Sequence, residues 1–120
     1  AGPDQPLTTG IWTGPDPNLP GDEAALSPFD RLMLASQRLS LENSDLISFH
    51  HYGSVEDLRP RIRRLKALGR PVWCTEYMAR TADSRFQTHL PVFRAEGVAA
   101  FNWGFVSGKS QTIFPWGSPA

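Results

Sequence analysis

One cysteine, Cys74, stands in the 120 residues, and a lone thiol can close no internal disulfide and build no cysteine-rich zinc cluster. Charge of one sign is missing too, since 12 Lys and Arg are balanced by 12 Asp and Glu. A nucleic-acid-binding chain usually carries a basic surplus, so that partner class is disfavoured. The densest basic run, residues 59–66, falls in a predicted helix and reads as a solvated face. No apolar run is long enough to span a bilayer, and no charged-then-apolar leader opens the chain, so no membrane role is expected. The start, Ala1-Gly2-Pro3-Asp4-Gln5-Pro6, is neither a Met start nor a signal peptide, so upstream sequence is expected. The compartment stays open, secreted or periplasmic if a signal peptide lies upstream. No glycine-rich phosphate turn follows any apolar run. The segment from Gly104 to Lys109 lacks both the spacing of a P-loop and its Lys-Ser/Thr pair opening a helix.

What the chain does have is alternation. Four short apolar runs at 7–12, 46–52, 71–77 and 98–103 are separated by helix-like stretches, the pattern of repeated βα units and a parallel sheet. The first connection holds a Pro/Gly-rich loop, 13–26, long enough to suggest a functional role. Ser27 as N-cap, Pro28 at the first helical position and Asp30 in a capping-box-like place start a helix, with Phe29, Leu32, Met33, Ser36 and Leu39 predicted on its apolar face. A second helix is expected from about Asp57, which puts Pro60 in its first turn, with Leu58, Ile62, Leu65 and Leu68 on one stripe and Gly69 at its end. In the third, Ser84 and Gln87 suggest a capping box, Phe86, Leu90 and Phe93 an apolar face, Pro91 a kink or early break, and Gly97 the stop. Periodicity alone leaves two architectures open, a doubly wound sheet or part of a (β/α)8 barrel.

In both, side chains at the carboxyl ends of the strands converge on one cleft. Those ends carry Trp12, then His50 and Tyr52, then Glu76 and Tyr77, then Asn102 and Trp103. Aromatic rings suit the apolar faces of pyranose sugars, while the hydroxyl-rich edges need polar partners such as an imidazole and a carboxylate. The runs 47–53 (Ile-Ser-Phe-His-His-Tyr-Gly), 74–77 (Cys-Thr-Glu-Tyr) and 101–104 (Phe-Asn-Trp-Gly), in that order, resemble the last strands of the family five and related cellulase-type glycoside hydrolases. The resemblance runs from about Gln5 to Trp116. It implies an α/β fold, the C-terminal half (strands five to eight) of a (β/α)8 TIM barrel, with residues 1–120 forming part of a catalytic domain and 13–26 an active-site loop.

It further implies a retaining hydrolase acting on β-linked glucan, mannan or xylan-type polysaccharide. Glu76 would be the nucleophile, Tyr52 the donor that keeps it ionised, and His50 a contact to the acid/base carboxylate or a sugar hydroxyl. Trp103 would floor the subsite of the attacked sugar, with Asn102 and Trp12 as further substrate contacts and Lys109, Gln111 and Trp116 as outlying ones. No organic cofactor and no metal are implied. The family's acid/base Glu follows an Asn at the end of strand four, and neither Asn18, Asn43 nor Asn102 precedes a Glu. The expected partner is therefore the missing N-terminal half-barrel, without which the chain would be inactive. The alternative is a carbohydrate-binding half-barrel that uses the same aromatics without chemistry.

Blander roles compete at each position. Glu76 could be an ion-pair partner of Arg80, and Trp103 could be core. His50 and His51, being adjacent on a strand, point to opposite faces and make a poor metal pair, so His51 is expected under a helix or at the rim. His89 reads as an ordinary surface residue, Trp73 as packing, and Cys74 as a small buried hydrophobe.

Overall fold

The computed structural model describes residues 4–11, 17, 21–104, 113–115, 117 and 118. The chain is α/β. Strand β1 (Gly10–Ile11) leads to helix α1 (Pro28–Glu42), β2 (Ile47–His50) to α2 (Val55–Lys66), and β3 (Val72–Glu76) to α3 (Phe86–Glu96), which precedes β4 (Ala99–Ala100). The four strands form one sheet in the order β1-β2-β3-β4, every pair parallel. A doubly wound sheet reverses its strand order at a switch point. None of these four strands does so, and the sequential order is compatible with half a barrel.

Strand alternation sorts the side chains. Ile11, Ile47, Phe49, Val72 and Cys74 join Leu41 of α1, Leu58, Ile62 and Leu65 of α2, and Val92 and Phe93 of α3 in a single buried cluster. Residues of the opposite parity look away from the helices, and there Trp73 and Phe101 stay 37% and 47% exposed, their ring centroids 5.6 Å apart. Among the described residues, no helix covers that second face.

The first strand is shorter than 7–12. Leu7 and Thr9 spend their backbone groups on the α1–β2 turn instead: Leu7 N–H donates to Asp45 Oδ2 at 2.8 Å, and Thr9 N–H to Ser44 Oγ at 3.1 Å. Likewise only Ala99 and Ala100 of 98–103 form β4, although Phe101 N–H still reaches Cys74 O at 2.8 Å.

Ser27 caps α1 as expected, its hydroxyl accepting from Asp30 N–H at 3.1 Å and donating to Asp30 Oδ2 at 2.7 Å. The face of α1 is not the expected one. Leu34, Gln37 and Leu41 are buried, while Phe29, Leu32 and Leu39 are exposed. Helix α2 starts two residues earlier than Asp57, because Ser54 Oγ accepts from Asp57 N–H at 3.2 Å and serves as the cap. Pro60 is therefore the sixth helical residue, as Pro91 is in α3, and neither breaks its helix. Both prolines lie on exposed faces, where the carbonyl one turn back can turn to water. The Ser84–Gln87 capping box does not form. Thr88 Oγ1 accepts from Arg85 N–H at 3.2 Å, and the buried Ser84 Oγ accepts from Met78 N–H at 3.3 Å. In α3 the buried residues are His89, Val92 and Phe93, leaving Phe86 and Leu90 exposed.

The orientation of α1 has a direct test in urea unfolding. Leu34→Ala is expected to cost about 2–4 kcal/mol, and Leu32→Ala less than about 0.5 kcal/mol. Equal losses would mean that the exposed stripe is packed after all.

Candidate active site at the strand exits

The site depends on an irregularity in the register of β2 and β3. Phe49 pairs with Cys74, but His50 pairs with Glu76, so Thr75 is skipped. In a regular strand Glu76 would follow Val72 and Cys74 toward the helices. The extra residue of a bulge lets the chain re-aim its side chains, and Glu76 instead meets His50 and Tyr52. Its backbone stays tied down, with Glu76 O accepting from His51 N–H at 2.9 Å and from the Cys74 thiol at 3.3 Å.

The same slip sends Tyr77 the other way. It is 2% exposed and packs edge-on to Phe93 and Phe86 at 5.2 and 6.0 Å, so it belongs to the core and not to the cleft expected from the strand ends. Directly after it Met78 holds φ +86°, a left-handed value that a non-glycine residue adopts only when its surroundings force it. The surroundings are a tight return in which Ala79 and Ser84 bond each other's backbone at 2.9 and 3.1 Å.

Around Glu76 the structure assembles three of the residues singled out in the sequence. Tyr52 Oη donates to Glu76 Oε2, and His50 Nδ1 approaches the same oxygen at 3.1 Å. The Trp103 ring stands edge-to-face on Tyr52, centroids 6.5 Å apart. Both polar contacts fall on Oε2; among the described residues Glu76 Oε1 has no hydrogen-bond partner, and the side chain is 32% exposed. The one oxygen, Oε2, carries both contacts. Asn102 lies exposed beside Trp103, and Arg80, the competing partner for Glu76, donates from Nη1 to Ile113 O at 2.9 Å. Trp12, Lys109, Gln111 and Trp116 lie outside the described residues, as does most of 13–26; of that loop, Glu23 pairs with Arg38 of α1 at 2.6 Å.

Burial, reinforced by the hydrogen bond to and charge of Glu76, pushes the Tyr52 phenol well above its ordinary value, so it remains a donor at neutral pH. Burial pulls His50 below the ordinary imidazole value, with Glu76 opposing and Arg61 assisting. Burial pushes the Cys74 thiol up to about 12, which keeps it protonated and unreactive. Among the described residues no group of three or more His, Cys, Asp or Glu could hold a metal ion.

Two contributors escaped sequence reading. Arg61, one residue of the basic run expected on a solvated face, turns inward: Nη1 donates to His50 O at 3.0 Å and the guanidinium lies 5.3 Å from the Phe49 ring centre. Its signal was positional, since it stands three residues after buried Leu58 and one before buried Ile62. His89 is fully buried against the turn that follows Tyr52, not on the surface. His51 is buried beside it, under α3, as expected of the histidine on the far side of the strand.

All three histidines are held below the ordinary imidazole value of 6.5, burial being the leading cause at each. From about pH 6.5 down to the folded-state values, the unfolded chain binds protons that the folded chain refuses. Stability is therefore expected to fall as pH drops through that window. A urea midpoint at pH 5.5 equal to or above that at pH 7.5 would contradict it.

Compared with protein-family models, curated proteins and solved structures, the chain matches none, and what the cluster does rests on its own geometry.

Proposed function

We propose that this chain is the nucleophile-bearing part of a retaining glycoside hydrolase acting on β-linked polysaccharide, with Glu76 as the nucleophile. The observation that carries the reading is the asymmetry of Glu76: Tyr52 and His50 converge on Oε2, and among the described residues Oε1 has no hydrogen-bond partner. A nucleophilic carboxylate suits this arrangement, in which its neighbours aim it through one oxygen and leave the other for attack. Oε1 attacks the anomeric carbon of the bound sugar. The glycosidic C–O bond breaks, and its oxygen leaves with a proton from a second carboxyl group. Water, deprotonated by that same carboxylate, then attacks the anomeric carbon and releases Glu76. His50, neutral near pH 7, can take part as a hydrogen-bonding group without neutralising Glu76. Trp103 supplies the apolar ring on which the attacked sugar stacks.

Retention requires the second carboxyl group about 5 Å from the first. It is assigned to further βα units that complete a (β/α)8 barrel. Three features support that assignment. Among the described residues β1 and β4 have one neighbour each, the face without a helix exposes Trp73 and Phe101, and the outer helices expose Phe29, Leu32 and Leu39 on α1 and Phe86 and Leu90 on α3. Exposed apolar groups on both flanks and unpaired strand edges are what neighbouring barrel units would cover.

Trapping tests the reading. A 2-fluoroglycoside given to the full-length protein is expected to add its sugar mass to the peptide containing Glu76, and Glu76→Ala is expected to lower turnover on the order of 10⁴-fold or more, with rescue by azide. A label on another residue overturns the assignment. Sugar binding that survives Glu76→Gln, with no label at all in the wild type, favours a carbohydrate-binding module instead.

A further inference from the structure

Among the described residues, His89 is a fully buried polar side chain that the chemistry at Glu76 leaves without a task. It is 0% exposed, on the buried face of α3, far in sequence from the strand exits. Its Nε2 lies 3.0 Å from Gly53 O, and a carbonyl can only accept, so Nε2 carries the proton. Its Nδ1 lies 2.8 Å from Thr88 Oγ1, whose single hydroxyl proton the ring shares with the carbonyls of Asp83 and Arg85, each 3.1 Å from the same oxygen. The neighbouring His51 does the same one residue on: its Nε2 donates to Ser54 O at 2.9 Å, and the two rings stand 5.9 Å apart. Consecutive carbonyls of one turn are thus held by two buried imidazoles, and that turn begins at Tyr52.

The ring also touches the other half of the site. It stacks on Tyr77, the residue after Glu76, with centroids 6.3 Å apart and planes 17° from parallel, and it packs on Phe93 at 6.2 Å. One side chain therefore contacts both the turn after β2, which carries Tyr52, and the chain leaving β3, which carries Glu76. Tyr52 must reach across from one strand exit to the next to donate to Glu76, and a free turn would let it swing out.

We propose that His89 is a positioning residue for the Tyr52–Glu76 pair: its Nε2–H pins Gly53 and holds the Tyr52 hydroxyl on the Glu76 carboxylate. The geometry stands by itself, and only the consequence for turnover rests on the hydrolase reading. Two substitutions separate the donor from the ring. His89→Phe keeps an aromatic ring among Tyr77, Phe93 and His51 and loses the donor. His89→Gln keeps an amide N–H near the place of Nε2 and loses the ring.

The readout is the Tyr52 phenol. The chain contains two tyrosines, so tyrosine labelled with carbon-13 at Cζ gives two signals, and Tyr52→Phe identifies which is which. In the wild type and in His89→Gln, the Tyr52 signal is expected to stay unmoved through about pH 10, the ordinary phenol value. In His89→Phe the released hydroxyl is expected to be about half ionised there. A folded His89→Phe whose Tyr52 still refuses to ionise overturns the proposal, and so does a folded His89→Gln whose Tyr52 ionises. Should His89→Phe fail to fold, His89→Leu takes its place as the variant without the donor: an ionising Tyr52 supports the proposal and a silent one sinks it. In the full-length protein, His89→Phe is expected to lower kcat about ten- to a hundredfold with KM nearly unchanged. A protein that hydrolyses no sugar but shows the Tyr52 pattern would refute the hydrolase reading and leave the positioning role standing.

Discussion

The one-residue slip between β2 and β3 is the constraint on which the candidate site depends. Up to Cys74 the strand obeys alternation, and its even-numbered residues build the layer between sheet and helices. A carboxylate continuing that series would enter an apolar cluster with no cation in it, at a desolvation penalty of several kcal/mol. By skipping Thr75, the pairing brings Glu76 opposite His50 and hands the inward position to Tyr77, a large ring that fills it. The turn at Met78 belongs to the same event. A buried methionine at φ +86° is tolerated because Ser84 and the Ala79–Ser84 bridge fix the chain on its far side. The strain lies two residues from Glu76, where a packed return determines the direction of the strand exit.

Around that slip the protein places groups that are polar at one end and packed at the other. Arg61 grips His50 O with its guanidinium while covering the Phe49 ring. His51 and His89 grip the turn at 53 and 54 while stacking in the core. Each buried imidazole donates to a backbone carbonyl, Gly53 O for His89 and Ser54 O for His51, so the desolvation cost of each ring N–H is offset by a hydrogen bond. Tightly satisfied polar contacts of this kind hold a turn in one geometry better than apolar packing does, because a displaced donor loses its bond at once. The helices thereby do more than cover the sheet: α2 and α3 reach the positions that set where Tyr52 and His50 stand.

Much of this was legible in the sequence where the cause is local. Ser27 as a cap, Gly97 in the left-handed region at φ +63° and the order of strands and helices all follow from a few neighbouring residues. Strand-end placement also brought Glu76, Tyr52, His50 and Trp103 together, since parallel strands must deliver their exits to one edge. The misreadings share another cause. The stripe of Phe29, Leu32 and Leu39 is as apolar as the face that α1 buries, and which of two stripes meets the sheet is decided by the sheet. Tyr77 was misplaced because a bulge has no composition signal, and one extra residue inverts everything beyond it. His89 was misread because a lone histidine in a helix is usually exposed, and its partner at Gly53 lies 36 residues away. Pro60 and Pro91 look damaging to a helix by residue type, but each stands on an exposed face, where the carbonyl one turn back can turn to water.

The exposed stripes and the half-held carboxylate fit together on the proposed reading. A sheet with helices on one face leaves Trp73 and Phe101 uncovered on the other, and that uncovered parity is the one that Glu76 joins through the slip. In a closed barrel this parity faces the interior, where side chains from opposite strands meet in layers. The surface that needs covering for stability is thus continuous with the surface on which a second carboxyl group would have to stand for chemistry. Further βα units would satisfy both needs at once: their strands would pair with β1 and β4, and their exits would lie at the same edge of the sheet as Glu76. Folding and catalysis would then be completed by the same segment.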